Sequence, residues 1–325
     1  MDRAHRRIAI AIAIAFVALG VLALAATACS SDGSTSSSSS TTPTVIVTTS
    51  ILGDVVENIV GDAAEVEVLM PAGVDPHEFE LSAAQAAAMQ EADVIVANGL
   101  GLEAGMVDAL DAAEGAGVPV YEVAPPLDPL PLGDAAAEDQ GRSGLDPHVF
   151  TDPRRMADGV EDITAALGEE VPALATETVR ARADAYAAEV RGVDAGVEEE
   201  LAAIPEDQRV LITNHEVFSY FAARYGFEVV GTVIPSGTTL AEPSSQELSD
   251  LADTIREYDV PAIFADASSP TELAEALADE SGVEVEVVPL FSESLGEPGS
   301  GADTYLGMVQ TNADAITAAL SGGSS

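Results

Sequence analysis

The chain has 325 residues and a net charge of −44, from 56 acidic residues against 12 basic ones, every one of them arginine. Such a field repels phosphate backbones and anionic headgroups, which excludes nucleic-acid binding and makes the acidity a solvated face. The length exceeds what one hydrophobic core organises, 47% hydrophobic residues suffice for two cores, and the single cysteine, Cys29, rules out an internal disulfide.

Arg3, Arg6 and Arg7 precede an apolar run over residues 8–26, followed by Thr27-Ala28-Cys29. These are the parts of an export signal. The end of the run is similar to a bacterial lipobox, with Ala26 where leucine is usual, which makes Cys29 the lipidated first residue of the mature chain. The run is also long enough for an uncleaved membrane anchor. In both cases the arginines stay inside and the rest of the chain is extracytoplasmic, on a tether. Residues 30–43, almost all Ser, Thr and Gly, then read as a flexible spacer.

From residue 44 the pattern alternates. Strands are predicted over 44–48, 66–70, 94–97 and 118–123, with helices over 51–60 and 83–91. Strands alternating with helices imply a mostly parallel sheet covered on both faces. Residues 124–144, rich in Pro, Gly and acids, read as a loop. A helix over 152–167 follows, with Pro153 in its first turn.

Residues 171–204 lack strand signals, and a single helix there would run about 50 Å. It is read as a strut joining two lobes, with a pair of helices broken near Gly192 and Gly196 as the alternative. The second lobe repeats the pattern: strands over 209–213, 228–232, 262–265 and 283–288, and helices over 217–225, 245–258, 270–281 and 305–320. The predicted architecture is α/β: two lobes, residues 44–170 and 205–325, each a mostly parallel four-stranded sheet flanked by helices, joined by one long helix.

The chain holds four histidines, and His5 lies in the leader. Two of the other three repeat one context: Asp75-Pro76-His77-Glu78-Phe79 and Asp146-Pro147-His148-Val149-Phe150. Proline fixes the chain entering each histidine and holds the preceding Asp out of helix, so each imidazole is presented from a defined turn. Neutral imidazole is the commonest transition-metal ligand. In open parallel sheets ligands bind beyond the carboxyl ends of strands. His77 and His215 fall there, and so does Glu293, chosen as an acidic fourth ligand over its rival Asp266. Asp75 and Asp146 are placed to shape their turns, or to accept the second ring N–H of their histidines.

The segments 73–103, 145–152, 210–231 and 263–307, with Ala92-Asp93-Val94-Ile95-Val96, Gly101-Leu102-Glu103 and Gly307-Met308-Val309, resemble the metal-binding lipoproteins of bacterial zinc/manganese ABC importers, the cluster A-I solute-binding proteins. The resemblance covers nearly the whole mature chain. It implies that His77 and His148 come from the first lobe and His215 and Glu293 from the second, and that the ion lies in the cleft between two sheets joined by one long helix. It also implies an ABC permease with its ATPase as partner, a lipid anchor on the membrane, and a monomer. Relatives often carry Asp in place of Glu293 and Trp in place of Phe150.

Three imidazoles and one carboxylate suit tetrahedral Zn²⁺, whereas Mn²⁺ prefers more oxygen. Zinc is therefore the favoured transported ligand and manganese the alternative. A metal-dependent hydrolase is disfavoured, because a catalytic zinc keeps an open fourth position and no His-Glu-x-x-His or Gly-x-Ser-x-Gly motif is present. A surface adhesin, a role given to some relatives, is the third possibility. The 124–144 loop has no histidine run, so metal delivery by that loop is not expected.

Overall fold

The computed structural model describes residues 42–132 and 144–321. Cys29, the leader, nearly all of the 30–43 spacer and part of the 124–144 loop lie outside the described residues. The first sheet is built from β1 (Thr44–Val47), β2 (Glu65–Val68), β3 (Val94–Ala97) and β4 (Val120–Glu122), connected through α1 (Ser50–Val60), α2 (Ala83–Met89) and α3 (Val107–Ala116). Two helices follow, α4 (Pro153–Glu170) and α5 (Glu177–Leu201). The second sheet comprises β5 (Val210–Thr213), β6 (Glu228–Thr232), β7 (Ala262–Asp266) and β8 (Glu286–Leu290), with α6 (Ser219–Tyr225), α7 (Ser245–Tyr258) and α8 (Glu272–Ser281) between them. Helix α9 (Tyr305–Ser321) closes the chain.

Both sheets are parallel and have the same order, β2-β1-β3-β4 and β6-β5-β7-β8. Each direction of winding reverses once, beside β1 in one sheet and beside β5 in the other. Those reversals open a crevice at the carboxyl ends of the strands.

The inner strands are apolar at consecutive positions because helices cover both faces. Val45 and Val47 point into one cluster and Ile46 into another; Val94 and Val96 oppose Ile95 in the same way. In the second sheet Leu211 and Phe264 face one cluster, Ile212 and Ile263 the other. One face of each sheet therefore packs into a common cluster, completed by Met156, Val160 and Ile163 of α4, Val190 and Val197 of α5, and Met308 and Ile316 of α9. The outer faces form separate, smaller clusters.

Helix α5 departs from the sequence reading in length. Pro172–Leu174 form a separate 3₁₀ turn, and the helix begins only after Thr176, whose hydroxyl accepts from the Val179 N–H at 3.2 Å. Twenty-five residues at about 1.5 Å each give roughly 37 Å. It runs unbroken through Gly192 and Gly196, so the broken-pair alternative fails: its neighbours Val190, Asp194 and Val197 are buried, and packing outweighs the low helix propensity of glycine.

Helix α3 was not predicted, although a parallel β3–β4 crossover demands an element there. Strand β8 starts three residues later than expected because Gly282 ends α8 with a left-handed φ of +67° and the chain needs Val283 to Val285 to reach the sheet edge. No helix among the described residues is long and apolar enough to cross a membrane.

Candidate metal centre

Each Asp-Pro-His motif folds as the same turn. Asp75 Oδ1 accepts the His77 backbone N–H at 2.8 Å, and Asp146 Oδ1 accepts that of His148 at 2.9 Å. The aspartate side chain substitutes for a backbone carbonyl two residues back, and proline fixes the residue between. The motifs follow β2 and β4 respectively, both at the carboxyl edge of the first sheet.

Beyond that shared turn the two motifs differ. Asp146 Oδ1 also accepts from His148 Nδ1, at 2.8 Å, which places the ring proton on Nδ1 and leaves the Nε2 lone pair free. Asp75 makes only the backbone bond to His77. Of the two roles expected for these aspartates, Asp75 has the turn alone and Asp146 has both.

The second motif is braced from several sides. Asn98 Nδ2 donates to the Pro147 carbonyl at 2.9 Å, and the Tyr220 hydroxyl donates to the Asp146 carbonyl at 2.5 Å. Asn98 is itself fixed by the fully buried Glu103, which accepts from the Asn98 and Gly99 N–H groups at 2.6 and 3.1 Å and from the Thr48 hydroxyl at 2.7 Å. Burial pushes the Glu103 carboxyl up, and these donors oppose the shift. Glu103 stands in the Gly101-Leu102-Glu103 motif, but its bracing role, and those of Asn98 and Tyr220, emerge only from the fold. Tyr220 reaches across from the other lobe, a relation that no local pattern encodes.

His215 follows β5, where the Thr213 hydroxyl donates to the His215 carbonyl at 2.8 Å and the Val217 N–H donates to the same oxygen at 2.9 Å. Glu293 lies three residues beyond β8. Asp266, the rival for the fourth position, ends β7 with both carboxylate oxygens occupied: Oδ1 accepts from the Ser268 N–H at 2.8 Å, and Oδ2 from the Ser292 hydroxyl.

The structure brings His77, His148, His215 and Glu293 together, with one ligating atom from each inside a mutual distance of 4.8 Å. His77 Nε2 stands 3.4 Å from His148 Nε2, and Glu293 Oε1 stands 3.4 Å from His148 Nε2 and 2.8 Å from His215 Nε2. Glu293 Oε2 is 3.9 Å from His77 Nε2. Four donors about 2.0–2.1 Å from a tetrahedral ion would be about 3.4 Å apart, so two of these separations already equal tetrahedral edges.

All four residues are at most 3% exposed. Neither oxygen of Glu293 makes a hydrogen bond, and neither ring nitrogen of His215 does. Burial pushes the Glu293 carboxyl well above the usual carboxylate range, and Asp75, Asp266 and Asp146 add to the shift. Burial holds His77 well below the usual histidine range, helped by His148 and His215. Burial also lowers His215, against the pull of Asp266, Asp75 and Asp146. A carboxylate sealed from water without a donor is costly unless a cation compensates it.

The family described as zinc-uptake complex component A, periplasmic, matches residues 45–319. The chain is 34% identical over 282 residues to the zinc-binding protein TroA of Treponema pallidum, covering 85% of this chain and 88% of that one. It is 32% identical over 277 residues to the manganese-binding lipoprotein MntA of Halalkalibacterium halodurans, with coverage of 85% and 88%. The iron-binding protein YfeA of Yersinia pestis is 30% identical over 273 residues. Among solved structures, the periplasmic zinc-binding protein TroA from Treponema pallidum superposes with a TM-score of 0.78 at 33% identity, covering 86% of this chain and 99% of that chain.

Proposed function

Because the chain belongs to the family of periplasmic zinc-uptake components, we propose that it is an extracytoplasmic solute-binding protein. It captures a divalent transition metal between its two lobes and delivers it to an ABC permease driven by its ATPase. The ion is cargo, held by Nε2 of His77, His148 and His215 and by the Glu293 carboxylate.

The observation that carries this reading is the convergence of four unsolvated donors from two sheets, with a Glu293 carboxylate that has no hydrogen-bond donor of its own. An arriving M²⁺ replaces that missing donor, neutralises the buried charge and takes the three imidazole lone pairs. Glu293 in the fourth position leaves no room for the open coordination site that a hydrolytic zinc needs.

Zinc is the favoured cargo. Three nitrogens and one oxygen suit it, and the 3.4 Å spacings match its tetrahedral geometry. Manganese is the alternative, since Glu293 offers a second oxygen and manganese takes more oxygen ligands. Tethering through a lipidated Cys29 and action as a monomer complete the proposal.

Metal analysis and calorimetry on the wild type beside His77→Ala, His215→Ala and Glu293→Ala test it. One Zn²⁺ per wild-type chain, with binding weakened by each substitution, is expected. Equal stoichiometric binding by all four proteins refutes the site, and tight Mn²⁺ binding with Zn²⁺ excluded refutes the choice of metal.

A further inference from the structure

Glu293 lies between two serines that are tied to opposite lobes. On one side the Ser292 hydroxyl donates to Asp266 Oδ2, within its own lobe. On the other, Ser294 Oγ lies 3.0 Å from Ser50 Oγ, and the Leu295 N–H donates to Ser50 Oγ at 3.1 Å. Ser50 opens α1 in the first lobe. Gly73, four residues before His77, completes the knot: its N–H lies 2.8 Å from Ser294 Oγ and 3.1 Å from the Leu295 carbonyl oxygen.

The Ser50 hydroxyl is not needed by its own helix. Thr49 is the N-cap of α1, with its side chain accepting from the Leu52 N–H at 3.2 Å. Ser50, Ser294 and Leu295 are buried, so these bonds are not exchanged with water while the lobes are together. They join residues more than 240 positions apart and break when the Glu293 loop leaves the first lobe.

We propose that Ser50 is a positioning residue for the metal site: by anchoring Ser294 and Leu295 it holds the Glu293 loop across the cleft and sets the rate at which metal leaves. This rests on the ligand set proposed above. The ion enters before the knot closes and leaves after it opens, so Ser50 acts on dissociation and not on association.

The test loads the full-length wild type, Ser50→Ala, Ser294→Ala and the double variant with Zn²⁺ and follows release into excess chelator. Association rates and the unfolding temperature of the metal-free proteins are measured alongside. Ser50→Ala should release zinc about tenfold faster, as loss of two buried hydrogen bonds implies, with an unchanged association rate and an unfolding midpoint lowered by only a few degrees. Ser294→Ala should go the same way, losing the Gly73 bond in place of the Leu295 one, and the double variant should release faster than either single variant but by less than the product of their effects, because the shared Ser50–Ser294 bond can be lost only once. Release within twofold of wild type, additive single effects, or a lowered midpoint with no change in release would each overturn the proposal. A wild type that takes up no zinc sinks the ligand set as well; a wild type that binds one zinc while Ser50→Ala releases it at the wild-type rate sinks only the anchor.

Discussion

Glu293 is the residue on which structure and chemistry pull in opposite directions. Without metal its charge is a liability to the fold; in the proposed site it is the one acidic ligand. Glu293→Gln keeps the shape and removes the charge. In the presence of chelator it should be more stable to unfolding than the wild type at pH 7 to 8, by about 1–3 kcal/mol. Zinc affinity measured by calorimetry should fall on the order of a hundredfold. The pH dependence has two arms. His77 and His215 have folded pKa values below the unfolded value, so the stability they contribute is present above about pH 6.5 and is lost as pH falls below it. Glu293 has a raised value, so its contribution is present below about pH 4.5 and is lost as pH rises toward its folded pKa. Melting curves of the metal-free protein against pH should show the acid loss in both proteins and the alkaline loss only in the wild type. The aspartates separate in the same spirit. Asp146→Asn disturbs the Nδ1 proton of His148 and should weaken zinc by about 10–100-fold, whereas Asp75→Asn, whose bond to His77 is to the backbone N–H and not to the ring, should weaken it less in the same competition titration.

At the scale of elements, glycines mark where sequence and packing part company. Gly192 and Gly196 lie on the exposed side of α5, and a Cβ built on either meets nothing within 4 Å. Alanine at each should raise the unfolding free energy by about 0.5–1 kcal/mol in denaturant titrations, through helix propensity and unfolded-state entropy. Gly105 is the opposite case, since its Cβ would come within 2.3 Å of the Phe79 carbonyl, in the loop that carries His77. The strands buried on both faces, such as 94–97, were legible because apolar runs bounded by helices admit little else. The helix at 245–258 was equally plain from its pattern, and the structure adds a Ser244/Glu247 capping box at its start. Helix α3 was not: Met106 at its start supplies no side-chain cap, only Ala113 within it is buried, so no apolar stripe marks a face, and the left-handed Gly117 is its one terminal signal. Of the four converging side chains, the histidines stood out by scarcity and by the repeated Asp-Pro-His. Glu293 was one acid among 56, set apart by its place after the last strand. The supports from Asn98, Tyr220 and Ser50 depend on contacts across dozens to hundreds of residues, which local pattern does not carry.

Across the whole molecule, the two sheets share one apolar cluster that also takes in α4, α5 and α9. Further ties join the lobes: Tyr305 donates its N–H to Asp54 Oδ2 at 3.0 Å and its hydroxyl to the Phe150 carbonyl at 2.9 Å, and Tyr186 donates to the same Asp54 oxygen at 3.0 Å. A wide opening of the cleft would tear this core, so metal exchange is expected to proceed by small displacements of the loops above it. Small-angle scattering with and without zinc should therefore give nearly equal radii of gyration, and calorimetry should show one unfolding transition that zinc moves upward. X-ray absorption at the zinc edge of the loaded protein examines the proposed site itself. Three imidazole nitrogens and one carboxylate oxygen at about 2.0–2.1 Å, with one imidazole lost in His215→Ala, are the predicted result. A first shell without imidazole scattering, or one unchanged by that substitution, would contradict it.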